Sequence, residues 1–183
     1  MVSLEELFDQ FCKYLDGKLK WSERENKSRI WTSTIFNFFS ELNKREPIPF
    51  VKEKEYMRVD YIWRYDTSRY STNDIELAVE HENVMEKIDT LLNEEIQHLI
   101  DIKARKKVGI FYIPQGDEKE FIKKIQERIK MQSIKSGLEE YLIILGYSTT
   151  RHKKRVILLK GFFFNGDGNL KSQKEKIISQ KRQ

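Results

Sequence analysis

The sequence contains a single cysteine, Cys12, and no long apolar run. One cysteine cannot form an internal disulfide, and no Cys-x-x-Cys pair is present. The first residues lack a basic segment followed by a long apolar stretch, and apolar runs such as 141–145 and 156–159 are too short to cross a bilayer. These absences predict a soluble protein in a reduced, cytoplasmic setting, without membrane contact.

Charge is unevenly distributed along the 183 residues, although the formal net charge is only +5. From Arg151 to the C terminus, ten Lys or Arg residues stand against Asp167 and Glu175, so this end carries +8. The preceding 150 residues carry 24 basic and 27 acidic side chains, or −3. A basic end predicts binding to a polyanion, and a solvated tail is the alternative. We predict one domain over residues 1–170 and a basic, flexible tail over residues 171–183.

Helical and strand patterns alternate along the chain, which predicts an α/β fold. Apolar stripes at helical spacing with polar caps predict four helices, which start at Ser3, near Ser22, at Asn83 and at Asp117. Apolar runs of strand length predict six strands, at 50–56, 59–65, 75–80, 108–113, 139–147 and 155–164. The second and third strands should form a hairpin. The helix between 75–80 and 108–113 predicts that these two strands lie parallel in a βαβ crossover.

Three carboxylates fall within the predicted hairpin. Asp60 lies on its first strand, while Glu80 and Glu82 should point to one face of its second strand because strand residues alternate. Such acids repel one another unless protons or a cation neutralise them, and a divalent metal is the simplest neutraliser. His81 should face the opposite side, where a packed core histidine is the common role.

A second acidic pattern lies in the helix that follows. Its spacing places Glu94 or Glu95 near His98 on the helix surface, which resembles half of a di-iron site. Such sites draw ligands from several helices, and the sequence contains no second copy of the pattern. We therefore expect these three residues to form ordinary surface pairs.

The order of elements and acids over about residues 22–113 resembles the PD-(D/E)xK nuclease superfamily. Val59-Asp60 matches its Pro-Asp position, Glu80 matches its first acid, and Glu82 stands where Lys is usual, as in the Glu-x-Glu variant of restriction enzymes. The Gln-rich helix motif of RecB-like exonucleases is not present. The resemblance implies a restriction-endonuclease-like fold, in which a central mixed β-sheet is flanked by α-helices. It also implies that Asp60 and Glu80 bind Mg²⁺ and that the residue at position 82 helps to activate water.

These residues can be given chemical roles. Mg²⁺ or Mn²⁺ would take oxygen ligands from Asp60, Glu80 and the backbone carbonyl of His81. Glu82 is the candidate general base and a candidate ligand of a second metal. Arg58, two residues from Asp60 on the same predicted strand face, is the candidate for stabilising charge in the transition state. An ion pair between Arg58 and neighbouring acids is the alternative.

Basic residues supply the predicted contact with nucleic acid. They are Arg64 and Arg69 near the acids, and Arg151, Lys153, Lys154 and Arg155 in the connection between the last two predicted strands, around the turn 148–154. We predict a metal-dependent endonuclease that hydrolyses DNA phosphodiester bonds. The alternatives are a non-catalytic nucleic-acid-binding or protein-interaction domain of the same fold, and a structural domain whose acids are scattered. Nucleases of this kind often form dimers to cut both DNA strands, so the analogy adds a homodimer as an alternative to a monomer.

Overall fold

A single seven-stranded mixed sheet organises the computed structural model, which describes residues 2–66, 68, 74–132, 138–151 and 153–181. The strands follow one another across the sheet in chain order. They are Val51–Tyr56 (β1), Val59–Arg64 (β2), Ile75–His81 (β3), Ala104–Phe111 (β4), Glu140–Arg151 (β5), Lys154–Asn165 (β6) and Leu170–Ser179 (β7). β3, β4 and β5 run parallel, and the other neighbouring pairs are antiparallel.

Helices cover both faces of this sheet. They are Leu4–Leu15 (α1), Trp21–Asn26 (α2), Ser28–Asn43 (α3), Ile88–Leu91 (α4), Gln97–Asp101 (α5) and Glu118–Met131 (α6). A π-helical turn, Leu92–Ile96, joins α4 to α5, and a 3₁₀ turn, Gln115–Asp117, precedes α6. The predicted mixed α/β architecture, a central sheet flanked by helices, is confirmed. Among the helices of the described residues, none is long and apolar enough to cross a membrane.

Each face of the sheet carries its own apolar core, because alternate residues of a strand point to opposite sides. α1 and α3 pack on one face around Phe11, Trp31 and Trp63. The segment 88–101 and α6 pack on the other face around Ala78. β3 is buried along its whole length, so any acid on it lies inside the protein.

The sheet register determines where the predicted acids lie. β2 and β3 form the predicted antiparallel hairpin, with Tyr61 opposite Val79. The predicted parallel pairing of β3 with β4 is also confirmed, with Glu80 beside Gly109, and Gly109 in turn lies beside Ile143 of β5. The carboxyl ends of the three parallel strands therefore meet at one end of the sheet, and Glu80 lies near that end.

Several predicted element boundaries are wrong. The second predicted helix is divided into α2 and α3, because Lys27 between them has φ −141°. The helix after β3 begins at Ile88, and the side chain of Asn83 donates to Thr32 Oγ1 at 2.9 Å instead of capping that helix. Residues 171–179 of the expected flexible tail belong to β7, which pairs along β6. Its charges lie mostly on exposed positions, as on many edge strands.

Candidate functional site

Asp60 and Glu80 meet across the β2–β3 pair, as strand alternation predicts. The backbone N–H of Asp60 donates to Oε2 of Glu80 at 3.2 Å, and the backbone N–H of His81 donates to Oδ2 of Asp60 at 2.8 Å. Each carboxylate is therefore fixed by the main chain of the other strand. The arrangement uses one oxygen of each acid for these contacts and leaves the second oxygen to face other groups.

The surroundings of these two acids disfavour their charged forms. Burial raises the pKa of Asp60 to about 6; the hydrogen bond from His81 opposes this rise, and repulsion from Glu95 and Glu82 adds to it. Burial also raises the pKa of Glu80 far above its ordinary range, helped by a hydrogen bond with Glu95 and by repulsion from Asp60. Glu80 is only 3% exposed. Such a cluster is unfavourable in its ionised form unless a cation compensates it.

Two residues of the helical segment after β3 reach this cluster. Glu95 lies in the π-helical turn and His98 lies in α5. One ligand atom each from Glu80, Glu95 and His98 lies within 4.8 Å of the other two. The expectation that Glu95 and His98 form only surface pairs is therefore wrong, because both are partly buried against a third ligand from the sheet. The third ligand comes from a strand, whereas the sequence pattern suggested ligands from helices only.

Glu82 lies just beyond the end of β3, at the margin of the cluster. Its Oε1 accepts the backbone N–H of Val84 at 2.6 Å. Burial raises the pKa of Glu82, and repulsion from Glu95 and Glu86 acts in the same direction. Within the described part of the chain, the group with all ligand atoms inside 4.8 Å contains neither Asp60 nor Glu82. The predicted trio is thus less compact than the set formed by Glu80, Glu95 and His98.

Arg58 does not lie on strand β2, which corrects the predicted strand-face argument. Tyr56 pairs with Val59, so residues 57–58 form a two-residue hairpin turn. The φ angles of Met57 and Arg58 are +49° and +69°, as a turn of type I′ requires at both central positions. Arg58 is exposed. The turn, rather than a shared strand face, sets the direction of its side chain.

His81 faces the opposite side of β3, as the alternation predicts. Its ring packs edge-on against Phe36 and Tyr112, with centroid distances of 6.1 Å and 5.9 Å. Nε2 lies 3.3 Å from the hydroxyl of Tyr112. Burial lowers the pKa of His81 to about 3, so the ring is neutral and belongs to the core. Its backbone N–H points towards Asp60, and because the N–H and C=O of one strand residue share a side, its carbonyl points towards β2 too.

Arg64 lies at the far end of the sheet from the acids, so the prediction that it is near them is wrong. It pairs with Ile75 at the start of β3, and its Nε contacts the carboxylate of Glu53 at 2.5 Å. The reason is the antiparallel direction of β2, which begins near Glu80 and ends near Ile75. Arg69 lies outside the described residues.

The four remaining basic residues form the tip of the β5–β6 hairpin. We call this set the basic tip; it comprises Arg151, Lys153, Lys154 and Arg155, which are all exposed. The strands continue to a direct Arg151–Lys154 pair, so the turn is tighter than the predicted 148–154. Glu80 pairs with Gly109 of β4, and Gly109 pairs with Ile143 of β5, so Ile143 lies at the same height in the sheet as Glu80. Arg151 lies eight residues further along β5 (143 to 151). At about 3.3 Å per residue, the tip extends roughly 26 Å beyond the level of Glu80, at the same end of the sheet.

The site at the carboxyl end of β3 thus combines acids from two strands with a glutamate and a histidine from the helical segment that follows. Its donors are carboxylate oxygens and an imidazole, and a basic hairpin projects from the same end of the sheet. A comparison of the chain with protein-family models gives no match, and a comparison with curated proteins gives none either.

Proposed function

We propose that the chain is a metal-dependent endonuclease that hydrolyses phosphodiester bonds in DNA, on a restriction-endonuclease-like fold. The observation that supports this most directly is the pair Asp60 and Glu80, fixed against each other by backbone hydrogen bonds. The pair lies at the carboxyl end of parallel strands, which is where ligands commonly bind in α/β sheets. The proposed cytoplasmic location rests on the single Cys12, which cannot form an internal disulfide.

The donors at this site fit a divalent cation. Both acids have raised pKa values caused mainly by burial, and like charges in such a place are stable only when they are paired. Mg²⁺ and Mn²⁺ commonly bind one or two carboxylates together with waters and phosphate oxygens. When bound, such an ion would neutralise charge on the phosphate and lower the pKa of a nearby water.

The protein's own residues would have separate roles in the hydrolysis. Asp60 and Glu80 hold the ion, and the carbonyl of His81 faces the same side as Asp60. Glu82 is the proposed general base, because its raised pKa favours accepting a proton and the Val84 N–H fixes its carboxylate at the end of β3. Arg58 has no role in this proposal, since its turn is exposed and its strand-face argument no longer holds.

The basic tip supplies the proposed contact with DNA. It projects from the same end of the sheet as the acids, so DNA bound to the tip would lie at the end of the protein that carries Asp60 and Glu80. Phosphates are spaced by about 3.4 Å along each strand, so the roughly 26 Å between the level of Glu80 and the basic tip corresponds to about seven or eight phosphates. Contacts of this kind bind phosphate regardless of base sequence and weaken strongly with salt.

A cleavage assay tests the proposal. DNA would be incubated with the full chain and Mg²⁺ or Mn²⁺, with and without a chelator, and with the variants Asp60→Asn and Glu80→Gln. Glu76→Gln is a matched control, because Glu76 is a buried acid on the same strand face but its partners are Tyr65 and Arg105. We expect cleavage by the wild type and the control only. Equal cleavage by every variant, or none by the wild type, would refute the proposal, and salt-sensitive binding without cleavage would favour a non-catalytic DNA-binding domain.

A further inference from the structure

Glu95 and His98 are not part of the predicted acidic trio, yet they lie against its central member. We infer that Glu80, Glu95 and His98 bind one ion together, and that this site prefers a first-row transition metal such as Mn²⁺ to Mg²⁺. The inference rests on the proposed function for the role of the ion. Binding of the ion itself is a separate property that can be measured without DNA.

The distances fit a shared ion. Oxygen and nitrogen ligands lie about 2.0–2.2 Å from ions of this size, so two ligands of one ion are at most about 4.4 Å apart. The three side chains already bring their ligand atoms within 4.8 Å of one another. Small rotations of side chains would therefore complete the set, without movement of β3 or α5.

A second observation also indicates a missing ligand. Nδ1 of His98 is shielded from solvent, and it has no hydrogen-bond partner among the residues that the structure describes. Buried polar atoms of native proteins nearly always have a partner, so an orphaned imidazole nitrogen needs an explanation. A metal ion bound at Nδ1 would provide one, because neutral imidazole is a common metal ligand through either ring nitrogen.

The local helix geometry supports the same assignment. Glu95 lies in the π-helical turn, and His98 follows three residues later on the same side of the segment. The pair flanks the buried stripe of Leu92, Ile96 and Leu99, which holds the segment on the sheet. Short π-helical turns within α-helices occur often at functional sites. Here the turn begins and ends at the apolar anchors Leu92 and Ile96, and Glu95 within it lies close to Glu80.

The chemistry of the donors decides which ion fits. Mg²⁺ demands oxygen ligands in near-ideal octahedral geometry, whereas imidazole suits transition metals. Two carboxylates and one imidazole form a mixed set that Mn²⁺ accepts more readily than Mg²⁺ does. A hydrogen bond brings the carboxyl groups of Glu80 and Glu95 together in the metal-free protein, and a bound ion would take the place of its proton.

Titration of the metal-free full chain with Mn²⁺, without nucleic acid, tests this inference. Electron paramagnetic resonance would measure free Mn²⁺, and its pulsed form would detect coupling between bound Mn²⁺ and a ligand nitrogen. The variants are His98→Gln and Glu95→Gln, with Glu94→Gln as the matched control, because Glu94 is the exposed neighbour on the same segment. Circular dichroism and unfolding in chelator would establish that each variant folds.

We expect wild type and Glu94→Gln to bind Mn²⁺ alike and with nitrogen coupling. His98→Gln should lose that coupling and bind Mn²⁺ at least about tenfold more weakly, with a smaller change in Mg²⁺ affinity. Glu95→Gln should weaken Mn²⁺ binding by a similar factor but keep the nitrogen coupling. Absence of Mn²⁺ binding, absence of nitrogen coupling, or unchanged affinity in His98→Gln would overturn the inference. Mn²⁺ binding through His98 without DNA cleavage would refute only the proposed function, and cleavage with unchanged Mn²⁺ binding in His98→Gln would refute only this inference.

Discussion

Replacement of Asp60 by asparagine should stabilise the metal-free protein. Folding raises the pKa of Asp60 from 3.8 to about 6, mainly through burial, so its charged form is less favourable in the native state than in the unfolded chain. A difference of about two pKa units corresponds to at most about 3 kcal/mol. Asp60 is partly exposed, and solvent screening reduces this figure, so we expect Asp60→Asn to add about 1–2 kcal/mol to the free energy of unfolding. The new side chain can still accept the N–H of His81.

The pH dependence of this gain follows from the direction of the shift. Because the native state holds the Asp60 proton more tightly than the unfolded chain does, the Asp60 contribution stabilises the wild type as the pH falls through about 6. The advantage of Asp60→Asn should therefore be largest above about pH 6 and vanish below about pH 4, where Asp60 is protonated in both states.

Urea unfolding in the presence of a chelator measures the effect. Wild type, Asp60→Asn and the control Glu76→Gln would be compared at about pH 7.5 and about pH 4.5. Glu76→Gln should not gain stability, because Glu76 has an aromatic hydroxyl and an arginine as partners. If Asp60→Asn were less stable than wild type at the higher pH, burial and repulsion would not be acting on this cluster as argued.

Three further results are expected. Mn²⁺ at about 100 times its dissociation constant should add about 2.7 kcal/mol to the free energy of unfolding of the wild type. This gain should appear as a rise in the melting temperature, and Glu80→Gln should abolish it. An equal rise in Glu80→Gln would contradict the proposed metal site. Replacement of all four residues of the basic tip by serine should weaken DNA binding across sequences and reduce the salt slope by up to about 3.6, whereas Lys171→Ser on β7 should not, as binding assays at several salt concentrations would show. Lys107→Met should lower the free energy of unfolding by about 3–5 kcal/mol because it leaves Glu139 buried without its cation, and adding Glu139→Leu should recover part of that loss in urea titrations.

Strand periodicity explains why half of the site could be predicted from the sequence. The alternation along β3 places Glu80 and His81 on opposite faces, and the hairpin brings Asp60 beside Glu80. These statements need only the period of a strand and the pairing of neighbours. The position of Arg64 follows from the same rules, because an antiparallel strand that starts beside Glu80 must end far from it.

The other half depends on contacts that local patterns do not contain. Glu95 and His98 reach Glu80 only because Leu92, Ile96 and Leu99 fix the rotation of their segment on the sheet. The sequence shows the spacing of Glu95 and His98, but the third ligand comes from an element about 15 residues earlier and of a different type. The prediction that Arg58 lies on a strand is wrong for another reason. The type I′ turn at 57–58 contains neither glycine nor asparagine, which are the residues that usually indicate such a turn in a sequence.

Composition alone does not predict strand β7. Its lysines predict a solvated tail, yet only Ile178 needs to be buried for the strand to complete the sheet, and β6 offers a free edge for its backbone. Lys174 and Lys176 pair with Asp9 of α1 at 2.8 Å and 3.7 Å, so two of the predicted tail charges are structural contacts. The remaining charges lie on the exposed side of an edge strand, where they oppose pairing with a second sheet.

The position of α5 is set by contacts outside the acidic cluster, and this explains how the cluster can persist. The fully buried Lys107 of β4 donates to the carbonyl of Ile100 at 3.1 Å and to Glu139 at 2.9 Å, and Gln132 donates to the same carbonyl at 2.6 Å. Ile100 lies two residues after His98, so the end of α5 is attached to β4 and to the end of α6. Repulsion among the acids therefore cannot be relieved by moving the helix away. This repulsion contributes to the raised pKa values of Asp60 and Glu80. A bound cation would relieve the repulsion without a change in the surrounding fold.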